Sequence, residues 1–124
     1  MKICVPVLIM AVALALALPA FSQEDMKVIA SDAYSTLTRP PAVFVHDEHN
    51  EKAGVEDCVL CHHGGSDGVQ DTSMSTEGIP CSDCHDVKPA SNMTGLTNAY
   101  HGQCIGCHRE QGKGPLACGQ CHVR

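Results

Sequence analysis

Tryptophan is absent from this 124-residue chain, and phenylalanine and tyrosine number two each. Beyond Ser22, valine, isoleucine, leucine and phenylalanine together make up only 16 of the 102 residues. A chain below roughly 20% in those four types, with a substantial net charge, cannot bury enough apolar surface to fold unaided. A conventional hydrophobic core is excluded, so something other than side chains has to fill the interior. Basic residues are scarce as well: after Ser22 there are 7 Lys and Arg against 14 Asp and Glu, a net charge of −7. That excludes a nucleic-acid partner, which needs a basic footprint. It also excludes docking on an acidic surface through a lysine patch. The acidic residues stand singly or in pairs, such as Asp47-Glu48 and Glu56-Asp57, and read as solvated surface.

A membrane-spanning run is missing too. The longest apolar stretch, Val7–Leu18, has twelve residues, well short of the roughly 20 that span a bilayer. With Lys2 ahead of it and Pro19 and the small residues around Ala20-Phe21-Ser22 behind, Met1–Ser22 reads as a secretory signal peptide. This leader holds 18 of the 54 hydrophobic residues, so the overall figure of 44% overstates what remains. The mature chain is expected to start near Gln23, to form one domain over residues 23–124 and to be exported to the periplasm. Cys4 leaves with the leader and has no role assigned.

What the mature chain does have is cysteine and histidine. All eight remaining cysteines lie in Cys-x-x-Cys-His units: Cys58-Cys61-His62, Cys81-Cys84-His85, Cys104-Cys107-His108 and Cys118-Cys121-His122. A disulfide framework or two four-thiolate zinc sites could use these thiols, but neither needs a histidine after every pair. Cys-x-x-Cys-His is the c-type haem attachment signature. Positions i, i+3 and i+4 share one face of a helical turn. Two thiols there reach the vinyl groups on one porphyrin edge, and the histidine is aimed at the iron. Each macrocycle then acts as a large aromatic core element, which supplies what the side chains lack.

Four histidines lie outside the motifs: His46, His49, His63 and His101. Four irons with two axial ligands each need eight, and the mature chain has eight His, so bis-histidine ligation at all four sites is expected. Met26, Met74 and Met93 are the competing sixth ligands, but three methionines cannot serve four haems and would leave the extra histidines unexplained. His63 follows His62 directly and cannot reach the opposite face of the same haem. That leaves 18 assignments of the four distal histidines among the four haems, and spacing alone does not choose among them. Closed bis-histidine iron has no open position for a substrate and lacks the methionine sulfur that raises potential. The expectation is a low-potential electron carrier rather than an enzyme. The alternative is a small multihaem reductase acting on metal ions or oxyanions, which requires a vacant or exchangeable site.

In sequence order the chain offers Phe44-x-His46-x-x-His49, a first motif extended to His62-His63, a second motif, His101, and the third and fourth motifs. This order resembles the tetrahaem class III cytochromes c, the cytochrome c3 family of sulfate-reducing bacteria, over about residues 43–122. The resemblance implies a small, mostly irregular and α fold with little β, wrapped around four covalent haems. It implies axial pairs His62 with His46, His85 with His63, His108 with His49 and His122 with His101, and a place for Phe44 near the first haem. The chain departs from that family's basic branch. All four Cys-to-Cys gaps are two residues, and 109–124 holds only Arg109, Lys113 and Arg124 as basic residues. It looks more like the acidic, type II branch. The partners this implies are a basic tetrahaem cytochrome as go-between to hydrogenase, and a membrane-associated cytochrome complex, in sulfate respiration. The protein itself is expected to be a monomer.

Regular structure should be sparse. Val28-Ile29 and Ala42–Val45 are strand candidates, Gly64–Pro80 and Asp86–Thr94 read as loops, and Leu96–His108 is the best helix candidate despite Gly102 and Gly106. Gly112, Gly114 and Pro115 leave room for a tight turn before the fourth motif. The exported protein is expected to be coloured, with a mass equal to a chain starting near Gln23 plus four haem increments. A colourless product, or a mass without those increments, contradicts the haem reading.

Overall fold

The structure is a computed structural model and describes residues 26–90 and 92–124. The expected leader, Met1–Ser22, and its Cys4 lie outside the described residues. The chain opens with strand β1 (Val28–Ile29), paired antiparallel with β2 (Ala42–Val43) so that Val28 faces Val43 and Ile29 faces Ala42. The pairing runs on past β2: the Phe44 amide donates to the Lys27 carbonyl and the His46 amide to Met26, both at 2.9 Å. This short ribbon fixes where the next element starts.

Helix α1 spans His46–Ala53. Asp47 and Glu48 lie in its first turn and Lys52 in its last, which suits the helix dipole at both ends. Gly54 closes it at φ 65°, the left-handed cap that glycine adopts without strain. No helix was expected here, because α1 has no apolar stripe and buries no residue, so the hydrophobic period that marks a packed helix is absent.

The first two Cys-x-x-Cys-His motifs form short 3₁₀ turns, Cys58–Leu60 and Cys81–Asp83. Between them, Gly64–Pro80 is not the loop its composition suggested. It contains an antiparallel hairpin of β3 (His63–Ser66) and β4 (Val69–Ser75), with a bulge between His63 and Gly64. Asp67 (φ 52°) and Gly68 (φ 78°) occupy the two turn positions, both left-handed as a two-residue turn matching the strand twist requires. Asp-Gly was the readable signal, masked by the surrounding polar residues that belong to an exposed ribbon.

Helix α2 runs Leu96–Gln111, three residues beyond the expected end, and Gly102 and Gly106 do not break it. Gly112 caps it at φ 64°. A last short helix, α3 (Cys118–Cys121), starts where the Gln120 amide oxygen accepts from the Leu116 and Ala117 amides at 3.0 and 2.8 Å. The 86–94 segment forms no helix or strand among its described residues, as its Pro89 and Asn92 suggest.

The expected scarcity of core holds. Among the described residues, Val59 and Leu96 are the buried hydrophobic side chains, while Leu60, Val69, Met74, Ile79, Leu116 and Val123 are all about half exposed or more. Two buried aliphatic side chains cannot offset the entropy of ordering a chain of this length. The fold is small, mostly irregular and helical, with two short ribbons. Among the described residues no helix is long and apolar enough to cross a membrane. Polypeptide made without its covalent cofactors is therefore expected to be unfolded. Far-ultraviolet circular dichroism should show a coil spectrum with no cooperative thermal transition, and a native-like melt would contradict this.

Candidate functional site

Each Cys-x-x-Cys-His motif closes a single helical turn. The amide of the motif histidine donates to the carbonyl of the first cysteine in three of them: His62 to Cys58 at 2.8 Å, His85 to Cys81 at 2.8 Å and His122 to Cys118 at 2.9 Å. The third motif lies within α2, which has the same winding. Both thiols and the histidine of a motif therefore project from one side of one turn. Of the eight motif cysteines, six are exposed and Cys104 and Cys121 are half-buried.

The imidazoles meet in pairs. Ring centroids lie 6.4 Å apart for His46 and His62, 6.2 Å for His49 and His108, 6.2 Å for His63 and His85, and 6.3 Å for His101 and His122. Each pair joins one motif histidine to one histidine outside the motifs. These four combinations are the axial partners that the family resemblance implies, out of the 18 that spacing allowed. With a metal–imidazole bond of about 2.0 Å and a ring nitrogen about 1.1 Å from the centroid, two imidazoles that shared one metal from opposite sides would have centroids about 6.2 Å apart.

The outward-facing nitrogens are held as well. The Nδ1 of His46 donates to the Asp47 carboxylate (2.8 Å), that of His49 to the Asn50 side-chain oxygen (3.4 Å) and that of His63 to the Gly64 carbonyl (2.9 Å). His85 donates to the Thr94 carbonyl (2.9 Å), His108 to Pro115 (2.8 Å) and His122 to Pro40 (2.6 Å). All six partners are oxygens that only accept, so Nδ1 carries a proton, and in the neutral ring that leaves the lone pair on Nε2. The Asn50 amide nitrogen, 3.4 Å from His46 Nε2, fits that tautomer. A neutral imidazole with Nδ1–H fixed by an acceptor is the prepared form of a histidine ligand.

This donor set fits c-type haem and does not fit the other uses of the cysteines. Among the described residues no three Cys, His, Asp or Glu side chains converge as a cage for a bare metal ion. Burial, reinforced by neighbouring thiols, pushes Cys104 up to about 11, the opposite of the lowered value of a reactive dithiol. His46, His49, His62, His63, His85, His101, His108 and His122 would hold the irons, and Cys58, Cys61, Cys81, Cys84, Cys104, Cys107, Cys118 and Cys121 would tether the porphyrins.

Neighbouring groups tie the pairs together. Phe44 packs 4.7 Å from the His49 ring and 6.0 Å from His46, between two different pairs. The Gln103 amide in α2 donates to the Leu60 carbonyl inside the first motif at 2.6 Å. Tyr100 borders the second motif, and burial together with Cys81 and Tyr34 pushes its phenol up to about 12.

Sequence reasoning missed the Nδ1 acceptors. Asp47 and Asn50 directly follow their histidines and were readable in principle. Pro40, 82 positions from His122, had no local signal. Gly114 was missed in the same way. At φ 89° its backbone passes so close to the His108 ring that an added Cβ would lie 2.5 Å from the ring carbon Cδ2.

The class III cytochrome C family model matches residues 22–122. Cytochrome c3 of Desulfovibrio desulfuricans is 30% identical over 107 residues, covering 78% of this chain and 92% of the relative. Cytochrome c7 of Geobacter metallireducens is 40% identical over 44 residues, 36% of this chain and 49% of that protein. Among solved structures, the high-molecular-weight cytochrome c of Desulfovibrio vulgaris (Miyazaki F), in the presence of zinc ion, aligns with a TM-score of 0.47 at 30% identity. That alignment covers 86% of this chain, which spans only 22% of the larger protein.

Gly114→Ala should disturb one site of the four. A side chain there meets both the left-handed backbone, at a cost of about 1–3 kcal/mol, and the His108 ring. The measurement is electron paramagnetic resonance of the ferric protein, where a high-spin component from about one iron in four is expected. An unchanged low-spin spectrum with unchanged thermal stability contradicts this.

Proposed function

The chain belongs to the class III cytochrome c family, and is thereby a multihaem electron-transfer cytochrome; from that premise we propose that it is a periplasmic, low-potential carrier with four bis-histidine haems c. Residues 1–22 are its cleaved leader and 23–124 its single domain. The observation that carries the reading is the set of four imidazole pairs, each separated by 6.2–6.4 Å, the gap that one metal between two Nε2 atoms requires.

Each haem c, when bound, supplies a one-electron ferric–ferrous couple. The polypeptide sets its conditions. Two histidines per site would leave no ligand position of the iron open, which favours electron transfer over substrate binding at the metal. The Nδ1 acceptors hold six of the eight imidazoles in the Nε2-binding tautomer, so little rearrangement is needed there when charge changes. Sites are joined through short stretches of chain. His62 and His63 are consecutive residues serving the first and second sites, His46 and His49 share α1 for the first and third, and His101 and His108 share α2 for the fourth and third.

The net charge of −7 after Ser22 favours cationic partners, because complementary charge speeds encounter. A basic tetrahaem cytochrome passing electrons from hydrogenase suits this surface, with a membrane-associated cytochrome complex on the other side, in sulfate respiration. The acidic branch, the monomeric state and the lack of catalysis belong to the same proposal. So do the thioether and axial residues named above.

Two measurements test it. The oxidised protein should show only low-spin ferric signals, and carbon monoxide or cyanide at neutral pH should leave the Soret band in place. A high-spin signal or a ligand-induced shift would favour the reductase alternative instead. In stopped-flow experiments, a basic tetrahaem cytochrome should speed reduction by hydrogenase by about tenfold or more at low salt. That gain should shrink as ionic strength rises. Equal rates without the basic protein would remove it from the route.

A further inference from the structure

The six Nδ1 hydrogen bonds are not alike. Four end on backbone carbonyls, those of His63, His85, His108 and His122. The two distal histidines of α1 each bond to the residue that follows them, and these differ: His49 makes a long 3.4 Å bond to the neutral amide of Asn50, whereas His46 makes a 2.8 Å bond to the carboxylate of Asp47. Among the described residues, His46 is the histidine with a carboxylate at Nδ1. The other acid of that helix turn, Glu48, is already paired with Lys52 one turn on, which holds its carboxyl below the usual range.

A carboxylate accepts a hydrogen bond more strongly than a carbonyl or an amide. Drawing the Nδ1 proton toward Asp47 raises the electron density, and so the basicity, of the imidazole at Nε2. A more basic axial ligand stabilises the ferric iron more than the ferrous one and lowers the potential of that site. We propose that Asp47 is a positioning residue that selectively lowers the potential of the haem ligated by His46 and His62. It makes the first site a better reductant toward its neighbours, and Asn50 leaves the third site, reached along the same helix, without that effect. This rests on bis-histidine ligation by His46 and His62 as proposed above.

The test uses the haem-loaded protein and its variants Asp47→Asn and Glu51→Gln. Both remove one negative charge from α1, but only the first removes the carboxylate from His46. A redox titration followed by nuclear magnetic resonance of the haem methyl groups assigns each potential to a site. Asp47→Asn is expected to shift the ferric-to-ferrous ratio of the first site about tenfold toward ferrous at a fixed applied potential, about 59 mV for a one-electron couple. Glu51→Gln is expected to shift it by less than about twofold. Equal shifts in the two variants overturn the inference, because through-space charge would then account for the effect. No shift at the first site, or a shift toward ferric, also overturns it.

The unaltered protein offers a second measurement, independent of any variant. In its fully reduced, diamagnetic state, the His46 Nδ1 proton should resonate further downfield than those of the carbonyl-bonded His63, His85, His108 and His122. A His46 proton level with theirs or upfield of them sinks the inference. Failure of the ligation itself is distinguishable. It appears as high-spin ferric iron in the unaltered protein, before any variant is compared.

Discussion

The distance between facing imidazoles is the constraint on which the remainder of this structure depends. Four pairs of rings are held at nearly one separation, 6.2–6.4 Å, by elements that have little else to hold them. Face-to-face stacking would pull the rings closer, and solvent would let them drift apart. The backbone sets this gap. The β1–β2 ribbon continues into the hydrogen bond from the His46 amide to the Met26 carbonyl, so α1 begins where His46 can face His62. The Nδ1 acceptors then fix the rotation of six of the eight rings.

The elements that set one gap also set its neighbour. The peptide bond between His62 and His63 places two pairs side by side. Helix α1 carries one ring of the first pair and one of the third a turn apart, and Phe44 packs against both. Helix α2 carries His101 and the whole third motif. With so few buried side chains, these shared elements do what a core does elsewhere: movement at one site is transmitted to the next. In the function proposed, the same continuity keeps the electron-carrying centres close together. Helix α1 also offers unequal partners to its two histidines, carboxylate and amide, which is enough to distinguish otherwise similar sites.

Much of the fold's character was legible from composition. The shortage of aliphatic residues foretold the almost empty core, and the Cys-x-x-Cys-His spacing foretold the helical turns at each motif. Helix α2 was readable from residue types even though its end lay three residues further on. Helix α1 was invisible because it buries nothing, and hydrophobic period is the main helix signal in a sequence. The β3–β4 hairpin was obscured because both strands are largely exposed and polar, leaving Asp67-Gly68 as the one local clue. The bond from His122 to Pro40 joins opposite ends of the domain and leaves no mark on either segment.

The sequence by itself determined the inventory: after Ser22, eight thiols, four histidines placed to follow them, four more outside the motifs, and too few apolar residues to fold without a large buried partner. Those are local or compositional properties, set by which residues follow which and how many there are. Tertiary structure decided the pairing. Spacing left 18 ways to match the outer histidines to the motifs, because residues far apart in the chain can meet in many arrangements. The ribbon, the hairpin and the two longer helices bring four particular rings opposite four others. The same three-dimensional placement put the carbonyl oxygens of Thr94, Pro115 and Pro40 behind three of those rings, since a ring's orientation depends on everything packed around it.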